Sequence, residues 1–173
     1  MIYEMRTYYA VAGMIPILNE RFEKHIIPVF KQHGIGILGF WTNDIGRSNQ
    51  LIYILSYDSM SDREKKFGAA IADPKVQSIL ADRPTPTIRV VSTFMKPTDY
   101  SPEPKMRGQV HELRIYRAAA GKMDDLHNRF SNHTRGFFQK HGIEEVGYWT
   151  EVIGDNSLLV YILGYSSLAE REA

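Results

Sequence analysis

The chain has 173 residues, 43% of them hydrophobic and 12% aromatic, with no cysteine and a formal net charge of +1. That composition is enough to build globular cores. It excludes disulfides, thiolate metal sites and a cysteine nucleophile, and so small a charge gives no electrostatic case for nucleic acid.

Residues 2–9 alternate, with Tyr3, Met5 and Thr7 on one face and Glu4, Arg6 and Tyr8 on the other, which is the period of a strand. The first residues read as a strand and not as a leader peptide, and no apolar run approaches the roughly 18 residues of a membrane span, so the expectation is a cytoplasmic protein or one whose targeting segment lies outside this sequence. Residues 13–33 have helical period, with Leu18, Phe22, His25, Val29 and His33 on one stripe and Gly34 as a left-handed stop. Pro28 lies inside that helix and predicts a kink just after His25. Residues 35–42 and 51–57 are apolar, aromatic-rich strands around a turn at Gly46, Arg47, Ser48 and Asn49, a hairpin. Ser59 with Asp62 then opens a capped helix that Asp73 and Pro74 end. A short helical piece over 76–81 and a last strand over 85–95 complete the unit.

The pattern then starts again. GIGILGFWT at 34–42 returns as GIEEVGYWT at 142–150, and the offset of 108 holds without a gap from Tyr3/His111 to Lys65/Ala173, with about 27 of 63 pairs identical. A period near 100 residues is the size of a domain, too long for a solenoid repeat. The expected organisation is one unit over 1–96, a Pro-rich polar linker over 97–108 and a second unit over 109–173. Each has the β-α-β-β-α-β order of a ferredoxin-like unit, so the class is α+β. The second stripe is Leu126, Phe130, His133, Phe137 and His141, with Gly136 in the place of Pro28. The second unit stops just after Ser167 and Glu170 cap its second helix, so it reads as incomplete at its C-terminus.

Several side chains are candidates for chemistry. His25 and His133 sit mid-stripe and should face the sheet, either as buried imidazoles bonded to a tyrosine or as acid/base groups at a ligand. Glu4 with Arg6, and Glu112 with Arg114, share a strand face. They read as an ion-pair network at an interface between two sheets, or as arginine forks for an anionic ligand. Trp41, Tyr57, Trp149 and Tyr165 are core aromatics or pocket walls. Arg63 and Arg171 lie in first helical turns, against the helix dipole, which implies a carboxylate partner. No metal site is expected: His25 and His33 are too far apart in sequence to share a helical site, and His127 has Asn19 as its counterpart. Phosphate-loop, nucleophile-elbow and Cys/His-cluster patterns are absent from the sequence.

Taken together, Tyr3-Glu4-Met5-Arg6-Thr7-Tyr8, His25, His33-Gly34, Trp41-Thr42, Tyr57-Asp58-Ser59, Arg63-Glu64 and Asp73-Pro74 resemble the NIPSNAP family. The resemblance spans the first unit and as much of the second as is present. Phe67 departs from it, standing where family members carry Trp. The resemblance implies a dimeric α/β barrel, here two tandem units packed sheet to sheet as a pseudo-dimer with the helices outside. It implies no settled reaction, although the superfamily includes monooxygenases with ligands between sheet and helices. Haem-degrading members use a His on the second helix and an Asn on the first strand. Residues 59–72 hold no His and the first strand offers Glu4 and Arg6, so neither haem nor any other cofactor is expected.

The functional expectation is a small organic ligand between the sheet and the first helix, walled by His25, Trp41 and Tyr57 and by their copies His133, Trp149 and Tyr165. Cofactor-free monooxygenase or isomerase chemistry is its sharper form. The alternative is a non-catalytic interaction module. A bare edge at strand 110–116 further predicts a homo-oligomer, with the residues after 167 poorly ordered.

Overall fold

Strand β1 (Ile2–Ala10) runs antiparallel to β3 (Gln50–Tyr57), with Arg6 opposite Tyr53, and β2 (Gly36–Thr42) takes the other edge of β3. The computed structural model describes residues 1–81 and 85–172 and divides into two units, Met1–Thr93 and Phe94–Ala173. In the first unit the leading part of β4 (Thr87–Pro97) flanks β1, so the strand order is β2-β3-β1-β4, the ferredoxin-like order. Helix α3 (Met60–Ala72) starts at Ser59, whose hydroxyl accepts the Asp62 N–H at 3.1 Å, while the Asp62 carboxylate accepts the Asp58 N–H at 3.1 Å. Helix α4 (Pro74–Ala81) follows Asp73 directly.

The first helix departs from the sequence expectation. It comprises α1 (Ile15–Arg21), a π turn over Phe22–Ile26 and α2 (Ile27–Gln32), with the Ile27 N–H bonded to the Phe22 carbonyl. A π turn adds one residue and rotates everything after it by about 100° relative to an unbroken α-helix. The buried stripe is therefore Leu18, Phe22, Ile26, Val29 and Phe30, and His25 is turned to solvent. The second unit repeats this over α5 (Met123–Arg129), a π turn at Phe130–Thr134 and α6 (Arg135–Lys140). His133 is likewise exposed; Phe137 is 63% exposed although its counterpart Val29 is buried, a difference that the shared π turn does not explain. Because Gly136 occupies the position of Pro28, proline is not what makes the π turn. Both helices stop as expected, with Gly34 and Gly142 at φ of +66° and +67°.

The second unit contains β5 (Val110–Arg117), β6 (Glu144–Ile153) and β7 (Leu158–Tyr165), with β5 and β6 on opposite edges of β7. The last residues of β4, Phe94 to Pro97, pair with the outer edge of β6. Residues 98–107, expected as a linker, continue along that edge. The Thr98 N–H reaches the Tyr148 carbonyl at 3.0 Å and the Lys105 N–H the Val146 carbonyl at 3.3 Å. Both hairpins carry a bulge at the same place, Leu38 and Val146 being the extra residues. Gly147 follows the second bulge because a Cβ there would come within 2.6 Å of the Trp149 ring. Residues expected to be poorly ordered form α7 (Leu168–Glu172), where Ser167 Oγ accepts the Glu170 N–H at 3.1 Å. The expected unit end at Ala173 lies outside the described residues.

Candidate functional site

On the helix-facing side of the first sheet, Glu4 is wholly buried and both of its oxygens are occupied. Arg63 from the first turn of α3 grips it twice, Nε to Oε2 at 2.9 Å and Nη2 to Oε1 at 3.0 Å. Arg6 Nη1 donates to Oε1 at 2.7 Å, and the Ser92 hydroxyl from β4 donates to the same oxygen. The remaining Arg6 donors go to the Tyr53 hydroxyl at 3.0 Å and the Tyr8 hydroxyl at 3.4 Å. Both guanidinium groups lie over the Phe67 ring, at 4.8 Å for Arg6 and 4.2 Å for Arg63. Burial works to raise the Glu4 pKa, but the Arg63 and Ser92 hydrogen bonds and the Arg6 charge outweigh it and hold the carboxyl below its ordinary value. This cluster is saturated within its unit and lies between sheet and helix. That corrects the expectation of a network between two sheets, and Glu4 is the carboxylate that the first-turn Arg63 implied. Beside it the Tyr57 hydroxyl is buried without a hydrogen-bond partner, and burial followed by the Glu4 charge pushes its pKa up.

The second unit repeats the cluster in looser form. Arg171 bonds Glu112 at 2.6 and 3.3 Å, Arg114 bonds Glu112 at 3.0 Å and the Tyr116 hydroxyl at 2.9 Å, and the Tyr165 hydroxyl donates to Glu112 at 3.4 Å. The Glu112 side chain is 29% exposed where that of Glu4 is fully covered. Among the described residues no strand flanks β5 as β4 flanks β1.

Open space lies elsewhere in the first unit. A groove of about 230 Å³ runs between the β2 edge and the first helix, lined by Asn19, Phe22, Glu23, Ile27, Phe40, Trp41, Thr42 and Leu51. Phe40 stacks on Tyr53 at 4.7 Å and Phe22 packs against both rings, which fixes the aromatic floor. The π turn begins at Phe22, so it presents Phe22 and Glu23 to the groove as it turns His25 away. Asn19 Oδ1 is buried away from the groove's open space, with no hydrogen-bond partner.

Of the residues picked from the sequence as ligand walls, the groove contains Trp41. His25 and His133 are exposed outside it, and Tyr57 with Glu4, Arg6 and Arg63 belongs to the closed cluster. Trp149 and Tyr165 are buried in the second unit, Tyr165 alongside Glu112, Arg114 and Arg171. Sequence reasoning missed Asn19, Phe22 and Phe40. Asn19 carried no weight because the repeat puts His127 at its place. Among the described residues no group of three or more His, Asp or Glu converges as a metal site would require.

The NIPSNAP family profile matches residues 3–102 and 111–173. A NipSnap homologue from Dictyostelium discoideum is 27% identical over 173 residues, covering 98% of this chain and 72% of the relative. A solved NIPSNAP family protein of unknown function from Agrobacterium tumefaciens is 30% identical, with a TM-score of 0.55 over 59% of this chain and 92% of its own. A protein from Lactobacillus acidophilus, provisionally called a monooxygenase, superposes over 99% of this chain and 79% of its own with a TM-score of 0.61. At 10% identity it speaks to the fold alone.

Proposed function

The chain belongs to the NIPSNAP family, and from that footing we propose that it binds a small organic molecule in the groove between β2 and the first helix of its first unit. The observation that carries this reading is the groove itself: about 230 Å³ walled by Phe22, Phe40 and Trp41, with Asn19, Glu23 and Thr42 as its polar lining residues. Binding is favoured over monooxygenase or isomerase chemistry. His25, the acid/base candidate, is turned away from the groove, and the Glu4 cluster spends its donors on itself. The one acid/base side chain lining the groove is Glu23, on its exposed rim, and neither His25 nor the Glu4 cluster joins it there. A non-catalytic interaction module is the second reading, favoured by the saturated cluster and by the second unit, where the Tyr100 hydroxyl lies 2.9 Å from His127 Nδ1 and its ring packs on Tyr148.

The test is a thermal-shift screen of single-ring organic molecules against the full chain and Ile27→Trp, whose indole would fill the groove. A ligand at tenfold its dissociation constant adds about 1.4 kcal/mol, a rise in Tm of roughly 6–11 °C for a unit of this size. The rise is expected in the parent and lost in Ile27→Trp. A panel that stabilises neither protein, or both equally, removes the groove as the ligand site.

A further inference from the structure

In the second unit the hydroxyl of Tyr116, near the end of β5, is surrounded by donors. Arg114 Nη2 donates to it at 2.9 Å, and the Tyr161 hydroxyl donates to it as well. The guanidinium carbons of Arg114 and Arg129 stand 5.5 and 5.9 Å from its ring centre. Phe130 and Tyr161 meet the ring edge-on at 5.7 and 5.4 Å and fix its orientation. The carboxylate of this cluster, Glu112, has its oxygens taken by Arg114 and Arg171. A phenol oxygen that accepts from two donors among positive charges is stabilised as the anion. Donation from Tyr161, working against burial and helped by Arg114 and Arg129, brings the Tyr116 pKa below the ordinary tyrosine value. Burial moves Tyr53, Tyr57, Tyr100, Tyr148, Tyr161 and Tyr165 the other way. The counterpart of Tyr116 in the first unit, Tyr8, receives the same two kinds of donor at longer range, Arg6 Nη2 at 3.4 Å and the Tyr53 hydroxyl at 3.3 Å. Strand β4 lies beside its strand, whereas no described strand covers the outer side of β5, where Tyr116 is half-buried.

We propose that Tyr116 is a modification site, a nucleophilic phenol that takes an acyl group from a small activated acyl donor. A tyrosine hydroxyl is a weak nucleophile until its proton is removed, and the donors around Tyr116 favour that removal. The anion that results is a hard oxygen nucleophile, which suits an acyl carbon better than a soft alkyl centre. In the step itself the Tyr116 proton passes to solvent and the phenolate oxygen bonds the acyl carbon. The bond from that carbon to its leaving group breaks, and the leaving group departs with the electron pair and takes up a proton. The product is an aryl ester, and no oxidant or reductant takes part. None of the residues lining the first-unit groove belongs to this cluster, so the site stands apart from the ligand reading of that groove.

The test is acetylation of the full chain by N-acetylimidazole at neutral pH, followed by peptide mapping in a mass spectrometer. Submicromolar protein keeps chain association from covering β5. Tyr116 is expected to be acetylated several-fold faster than Tyr8 and Tyr9, with its labelled peptide lost in Tyr116→Phe. Arg114→Leu removes a charged donor and should slow Tyr116 roughly tenfold, the worth of a charge-assisted hydrogen bond. Arg129→Gln changes an exposed position and so guards against misfolding of the leucine variant. It should slow Tyr116 about two- to fivefold at low salt, the worth of an exposed charge. Acetylation of Tyr8 or Tyr9 ahead of Tyr116 overturns the proposal. So does a Tyr116 rate indifferent to both arginine substitutions, since access alone then sets it. An unlabelled Tyr116 in a mixture where free N-acetyltyrosine amide is acetylated overturns it as well.

Discussion

Glu4 and Glu112 occupy the same position in two copies of one motif, and their surroundings assign them different energetic weights. Glu4 is fully covered and held by two arginines and Ser92, whereas the Glu112 side chain is 29% exposed and its partner Arg171 is 45% exposed. Removing one partner of a buried pair costs about 3–5 kcal/mol, whereas an exposed pair is worth about 0–1 kcal/mol. Glu4→Ala is therefore expected to lose about 3–5 kcal/mol in urea unfolding and Glu112→Ala no more than about 1 kcal/mol; equal losses would contradict the burial argument. The same carboxyl sets a pH dependence. The folded-state pKa of Glu4 lies below its ordinary 4.5, so between those two values the unfolded chain binds a proton that the native state does not. Its contribution is complete above 4.5 and is lost as the pH falls through the depressed native value. Wild type should lose stability more steeply than Glu4→Gln below pH 4.5, and the two slopes should coincide above pH 6, as measured by denaturant midpoints across that range.

The π turn is the element that separates the sequence reading from the structure. An unbroken helix puts His25 on the sheet; one extra residue in the turn puts Ile26 there and His25 in water. Deleting His25 should therefore close the π turn into an α turn while leaving Phe22, Ile26 and Phe30 on one face. Helix content by circular dichroism is expected to persist in that variant, with binding in the groove altered because Glu23 no longer sits in a widened turn. The point substitution His25→Ala should change stability by no more than about 0.5 kcal/mol, as exposed positions do, and a loss of several kcal/mol would return His25 to the core. Strands, hairpins and helix starts were legible because period two, the Gly46 to Asn49 turn and the Ser59 cap each have a local cause written in residue type. The π turn has no such signature, since Phe22–Ile26 and Phe130–Thr134 share only Phe and His at matching positions. The carboxylate partner of Arg63 was legible because a first-turn arginine conflicts with the helix dipole. Tyr100 was not, because its burial depends on residues 98–107 lying along β6, which a Pro-rich composition does not announce.

Across the whole chain the repeat is unequal at one strand. β1 has β3 on one side and β4 on the other, and its Tyr3, Glu4 and Met5 are buried. β5 carries the same Glu-x-Arg-x-Tyr pattern with β7 on one side, and among the described residues no strand covers the other. Its Ile115 is 49% exposed. Charged residues on an edge normally discourage pairing, and β5 carries Glu112, Arg114 and Arg117. The first unit shows that this charge pattern is nevertheless compatible with a neighbouring strand, since β4 lies beside β1 and supplies Ser92 to Glu4. An exposed isoleucine on a strand that no described strand flanks on its outer side then favours association of two chains through β5. Sedimentation at micromolar concentration is expected to show a dimer, with amide exchange over Val110–Arg117 slowing as protein concentration rises. Ile115→Lys places a charge on the edge and should shift the population to monomer with the fold intact by circular dichroism. A monomer whose β5 exchange is fast and independent of concentration would leave the edge uncovered, and an oligomer indifferent to Ile115→Lys would place the contact on another surface.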